Sequence, residues 1–184
     1  MDKESCEVFV GALLREMGLD MSNEHLKDTP KRVVMMYGEL FSGLDKTNEP
    51  IFTTFDNPNY DEMIIVKGNF SSTCSHHLLP FIGQFYFAYI ANEKLCGLSK
   101  IPRVVEYFSK RPQLQERLTQ QIVDYLNDKL QPKGCMLIMK AKHYCEILRG
   151  VKQHEDTAET ITSAIKGIFM KQKVKEEFIQ LIKT

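Results

Sequence analysis

Phe70-Ser-Ser-Thr-Cys74-Ser-His76-His77 sits between two strand-like runs, Met63-Ile-Ile-Val66 and Phe81-Ile-Gly-Gln-Phe-Tyr-Phe-Ala-Tyr-Ile90, so it occupies the bend of a paired-strand unit. Far along the chain a second short run, Lys142-His143-Tyr144-Cys145, ends a strand-like segment opened by Cys135-Met-Leu-Ile-Met139. Cys74 and His77 stand three apart on a strand-end loop. His143 and Cys145 stand two apart, a period that puts both on one face of an extended segment. Thiolate and imidazole ligands converging from two segments suit Zn²⁺ better than Mg²⁺ or Ca²⁺, which take oxygen. The pool of Cys74, His76, His77, His143 and Cys145 exceeds what a closed four-ligand structural site or an open three-ligand catalytic site requires. That surplus favours catalysis, because imidazoles left beside a metal carry protons near neutral pH.

Outward from these runs the chain keeps a regular order. Val8, Phe9, Ala12, Leu13 and Met17 recur at helical spacing from Ser5 to Met17, with Gly18 placed as a C-terminal cap. Asp28-Thr29-Pro30 signals the start of a second helix running to Ser42-Gly43, and residues 44–60 read as loop, broken by Pro50, Asn57, Pro58 and Asn59. After the first strand pair, Ser99 caps a helix through Val104, Val105 and Phe108, interrupted at Arg111-Pro112. Leu114, Leu118, Ile122, Leu126 and Leu130 then form the stripe of a longer helix, ended by Pro132-Lys-Gly134. Thr160-Ile-Thr-Ser163 begins the last β element, followed by a C-terminal helix. The order is ββααββ behind two helices, an α+β chain with a helical region, residues 1–60, and a main region, 61–184, expected to form one integrated domain.

Bulk properties exclude several classes. At 184 residues the chain can bury a core without disulfides or other staples. Lysine plus arginine equals aspartate plus glutamate, 24 each, so no basic field marks a general nucleic-acid binder. Five cysteines without framework spacing fit free thiols in a reducing compartment, and Cys6, Cys96 and Cys135, lacking histidine neighbours, read as buried. No signal peptide or membrane-length apolar run is expected, which places the chain in the cytoplasm.

Basic residues Lys100, Arg103, Lys110, Arg111, Arg117 and Arg149 read by default as solvated surface. Arg149 stands apart, because it follows the ligand segment directly and its guanidinium can clamp a phosphate. Gln115-Glu116, at the start of the long helix, reads by default as helix-surface decoration as well, although a carboxylate can pair with the ring N–H and the amine of guanine and a glutamine can complete the edge.

Taken together the motifs resemble GTP cyclohydrolase I: Asp28-Thr-Pro-Lys-Arg32, Phe41-Ser-Gly-Leu44, Ser71-Ser-Thr-Cys74-Ser-His-His77, Gly97-Leu-Ser-Lys-Ile101, Arg111-Pro-Gln-Leu-Gln-Glu-Arg-Leu-Thr-Gln-Gln121, His143-Tyr-Cys145, Arg149-Gly-Val151 and Thr160-Ile-Thr-Ser163. The resemblance implies a tunnelling fold, an antiparallel ββααββ sheet with two helices on one face, assembled as a homo-oligomer, a decamer with active sites between subunits. It implies zinc held by Cys74, His77 and Cys145, with His76 and His143 left for proton transfer. Zinc-bound hydroxide would attack C8 of GTP, release formate and lead to 7,8-dihydroneopterin triphosphate. Gln115 and Glu116 would hold the guanine, Ser99 the purine or ribose edge, and Lys100, Arg103 and Arg149 the triphosphate. The chain departs from the family pattern at Ser75, where a glutamate is usual, at Met35, where some members carry a basic residue, and in the acidic run 152–159. The alternative readings are a zinc-retaining purine binder without turnover and a sister enzyme for another purine nucleotide.

Overall fold

The computed structural model describes residues 2–183, which form two compact units meeting in sequence at Ser42/Gly43. The first unit is a helix pair. Helix α1 (Lys3–Glu16) is capped by the Asp2 carboxylate, which accepts from the Ser5 N–H, and Gly18 takes the left-handed φ of +82° expected just past its end. Helix α2 (Thr29–Leu40) has Pro30 in its first turn, and Asp28 makes no side-chain cap bond. It ends before Ser42, a little earlier than the expected stop, because a 3₁₀ turn follows.

The second unit holds everything else, including part of the segment before residue 60. Strand β1 (Thr54–Asp56) lies antiparallel to a later strand, Lys94–Cys96, so the segment expected to be loop is tied into this unit. In chain order follow β2 (Met63–Cys74), β3 (Pro80–Ile90), β4 (Lys94–Cys96), α3 (Lys100–Ser109), β5 (Pro112–Gln113), α4 (Gln115–Leu130), β6 (Gly134–His143), α5 (Tyr144–Ile147), β7 (Thr160–Gly167) and α6 (Gln172–Leu181). The main sheet has the order β5-β2-β3-β6-β7, and its four long strands are antiparallel throughout. The ββααββ order read from the sequence is therefore present.

Alternation along the strands decides which face is core. Phe70, Phe81, Phe85, Phe87, Tyr89, Leu137 and Met139 point at α3 and α4 and are buried with Ile101, Val104, Leu118, Ile122, Leu126 and Leu130. The interval-four stripe of α4 is buried from Leu118 onward, whereas Leu114 is the N-cap residue and stays partly exposed. On the opposite face Ala88, Met136 and Ile138 are covered at one end by Phe169 and Phe178, from the 3₁₀ turn Ile168–Met170 and α6. Gly83 pairs with Ala141, and a Cβ there would collide with the Lys140 carbonyl. This close approach holds β3 and β6 together two residues from the Phe81–His143 pair.

Both long edges of the sheet are open among the described residues. Strand β5 touches β2 only at Thr73 and Cys74, leaving Met63 to Ser72 unpaired on that side, and β7 has no outer neighbour. Among the described residues no helix is long and apolar enough to cross a membrane.

Candidate metal centre and its surroundings

The bend between β2 and β3 is tight. Leu78 N–H donates to the Cys74 carbonyl, Cys74 N–H to the Leu79 carbonyl, and Ser75 N–H to the Gln113 carbonyl on β5. Leu78 takes a φ of +53°, a left-handed conformation that costs a branched side chain about 1–2 kcal/mol. The turn folds His77 back over Cys74.

Cys145 reaches the same place from the far side of the sheet end. Strand β6 stops at His143 and the chain enters the helical turn α5, so the expected period of two does not apply, and His143 and Cys145 point in different directions. Ligand atoms of Cys74, His77 and Cys145 all lie within 4.8 Å of one another, and His143 is not in the group. The two sulfurs are 3.9 Å apart. Two thiolates sharing a tetrahedral zinc, at Zn–S distances of about 2.3 Å, stand about 3.8 Å apart, so the donor set and its spacing fit that ion. Burial, then the neighbouring Cys74 sulfur, pushes the Cys145 thiol up. A divalent cation between the sulfurs removes both penalties, because it compensates two anions that otherwise repel in a half-buried site. Cys96 and Cys135 are buried elsewhere in the core, and burial lifts the Cys135 thiol to about 12. Cys6 is half-buried.

His143 belongs to a second arrangement beside the metal group. Its ring stacks on Phe81, centroids 4.7 Å apart and planes within 1°, and its Nε2 lies 2.7 Å from Gln115 Oε1. Burial pushes its pKa down, partly opposed by the charges of Glu146 and Glu116. Glu116 itself is exposed in the first turn of α4, near enough for its carboxylate to act on that imidazole. His76 is exposed, with its ring edge-on to His77 at 6.1 Å between centroids.

The Gln115 side chain, expected at the guanine edge, points inward. The residue is 1 % exposed, its amide N–H₂ faces Met139 O, Thr160 O and Thr162 Oγ1, and its oxygen faces His143. The sequence marked its position but could not show that the side chain turns inward.

Basic residues divide sharply. Arg149 Nη1 lies 2.6 Å from His77 Nε2, and since a guanidinium only donates, that nitrogen is the acceptor. Arg111 lies over the Tyr107 and Phe108 rings, Arg117 donates to Gln113 and Pro112, and Lys110 pairs with Glu106. These three are structural or surface groups. Ser99, Lys100 and Arg103 stand at the N-terminal end of α3, where Ser99 occupies the cap position without a side-chain cap bond and Lys100 Nζ donates to Ile51 O. The other end of α3 is pinned to the metal side, because Ser72 Oγ donates to Ser109 O. Ten helical residues span about 15 Å, so Lys100 begins α3 about that far from the Ser72–Ser109 bond. Lys100 and Arg103, expected with Arg149 at the triphosphate, thus stand at the N-terminal end of α3. Phe81, Thr119 and Thr162, all in contact with His143 or Gln115, were absent from the sequence-derived set; only the alternation that turns Thr162 toward α4 could have flagged one of them.

Residues 6–183 match the sequence model of a family described as GTP cyclohydrolase I. Curated relatives include the GTP cyclohydrolase 1 of Sulfurihydrogenibium sp. (strain YO3AOP1), 47% identical over 184 residues, covering 99% of this chain and 96% of that protein. The GTP cyclohydrolase 1 of Aquifex aeolicus (strain VF5) is 43% identical over 185 residues, covering 100% and 98%. That of Bacillus subtilis (strain 168) is 44% identical over 171 residues, covering 92% and 89%. Among solved structures the apo form of the archaeosine synthase QueF-Like gives a TM-score of 0.49 at 14% identity, covering 59% of this chain and 97% of that one.

Proposed function

The chain belongs to the GTP cyclohydrolase I family, and from that premise we propose that it hydrolyses the guanine imidazole ring of GTP at C8, releasing formate and forming 7,8-dihydroneopterin triphosphate. The observation that carries the reading is the Cys74–His77–Cys145 group, with a second imidazole, His143, held beside it in a separate, stacked position. Three protein ligands leave a coordination position open, the arrangement of a catalytic zinc. When bound, the metal supplies Lewis acidity that makes a water nucleophilic near neutral pH.

The chain's own groups take the remaining roles in this reading. His76 and His143 carry protons to and from the opening ring. Glu116, exposed beside His143, accepts from the guanine ring N–H and amine. Arg149 gives up the His77 lone pair when that imidazole holds the metal, which leaves its N–H groups for a phosphate oxygen. Ser99 serves the purine or ribose edge, and Lys100 and Arg103 the triphosphate, in a pocket shared between copies. Five free cysteines, two of them ligands here, suit a reducing compartment such as the cytoplasm.

Assembly is supported by the sheet itself. With an even number of long antiparallel strands, the β7 edge of one copy can meet the β2 edge of the next without breaking the antiparallel alternation. Such a head-to-tail contact is heterologous, and when its rotation closes it gives a ring. Light scattering is expected to show an active particle many times the 21.3 kDa subunit, the family's decamer being the specific expectation. A stable, active monomer would contradict the composite pocket. Function is tested by incubating the zinc-loaded protein with GTP, expecting formate and, after oxidation, pteridine fluorescence. Binding of GTP without either product would replace the proposal with a purine-binding role.

A further inference from the structure

Behind His143 runs a chain of hydrogen bonds whose direction chemistry alone decides. Thr119 Oγ1 lies 2.7 Å from the Gln115 backbone oxygen, which can only accept, so Thr119 donates there. Its single hydrogen is spent, and Thr162 Oγ1, 2.6 Å away, must therefore donate to Thr119 Oγ1. Thr162 in turn accepts from Gln115 Nε2 at 3.1 Å. The same Nε2 lies 3.1 Å from Met139 O and 3.0 Å from Thr160 O, both acceptors only, so the Gln115 amide cannot be flipped. Its Oε1 is then the atom 2.7 Å from His143 Nε2, and an acceptor in that place requires a hydrogen on the imidazole nitrogen. Ring rotation is fixed independently by the parallel stack on Phe81.

We propose that Gln115 is a positioning residue, which locks the ring of His143 and holds its neutral form as the Nε2–H tautomer, leaving Nδ1 as the nitrogen free to exchange a proton with substrate. The inference rests on the reading that His143 serves in proton transfer. It assigns Gln115 a role through His143 and none at the guanine edge. The opposite tautomer sets two lone pairs against each other in a site where Gln115 and Thr119 are each 1 % exposed, which disfavours it by about 10–100-fold.

The test is a double-mutant cycle on the zinc-loaded enzyme with GTP, using Gln115→Ala, His143→Ala and the pair, with zinc content and particle size matched. Gln115→Ala should lower kcat by about 10–100-fold and change KM by less than about threefold, and it should add nothing to His143→Ala. A raised KM with full additivity would assign Gln115 to the substrate and overturn the proposal. Thr162→Val, which weakens the same restraint while keeping the side chain's shape, should lower kcat in the same direction by a smaller factor, and it carries the cycle if Gln115→Ala does not fold. Independently of turnover, solid-state ¹⁵N spectra of the histidine-labelled holoenzyme at alkaline pH, with His143 assigned by its loss in His143→Ala, should show a protonated Nε2 and a bare Nδ1. The reverse pattern overturns the proposal. A parent protein that releases no formate from GTP would defeat the functional reading, while the spectrum would still decide the tautomer.

Discussion

Cys145→Ser is expected to lose both its metal and its turnover of GTP while remaining folded. The substitution removes one of only two thiolates from a three-ligand group, and a serine hydroxyl neither ionises near neutral pH nor matches the softness of zinc. Even outer partners of metal ligands typically change affinity by about 10–100-fold when mutated, so loss of a direct ligand should exceed that range. Stability should move little by comparison, since Cys145 sits on a four-residue helical turn beyond the end of β6 and is not among the fully buried residues that hold the sheet to α3 and α4. Elemental analysis, melting and formate release on matched samples check the three parts separately. Undiminished zinc in Cys145→Ser would remove this residue from the site and with it the reading of an open three-ligand centre.

For Glu116→Ala the expected loss is in selection of the base. A carboxylate that accepts from both the ring N–H and the exocyclic amine discriminates strongly, because an analogue lacking a donor leaves a charged acceptor unpaired once the pocket closes over it. Sites of this kind reject such analogues by about 10⁴-fold or more. ATP should not be turned over by the parent, and inosine triphosphate, which lacks the amine, should be a far poorer substrate than GTP. In Glu116→Ala kcat/KM for GTP should fall toward the inosine value, erasing the difference between them. The fold should barely register the change: Glu116 is exposed in the first turn of α4, where its interaction with the helix dipole contributes about 0.3–1 kcal/mol. A variant that processed GTP like the parent and still rejected inosine triphosphate would move guanine recognition to another residue.

Much of this architecture is written in local pattern. The interval-four stripe of α4, the alternation in β3 and the Gly18 position each reflect a backbone period or a φ requirement that neighbouring residues satisfy by themselves. The metal group was legible because its ligands are chemically rare and occur in two short runs; the structure brings together Cys74, His77 and Cys145 from the five candidates. What spacing could not reveal is the change from strand to helix between His143 and Tyr144. It gives His143 to Phe81 and Gln115 and sends Cys145 to Cys74 and His77, whereas a continuous strand would have aligned them.

The sequence alone therefore determined the ββααββ order, the buried stripe and the pool of ligands, because those depend on periodicity and on side-chain chemistry that travels with the residue. Tertiary structure decided the roles within that pool. The inward turn of Gln115 depends on acceptors from β6 and β7, far away along the chain. The placement of Lys100 and Arg103 depends on which end of α3 is fastened to β2 by the Ser72–Ser109 bond. Both are consequences of long-range contacts that no local window contains: a helix is a rigid rod whose far end is fixed once its near end is fastened, and a buried amide must face whatever acceptors the fold brings to it.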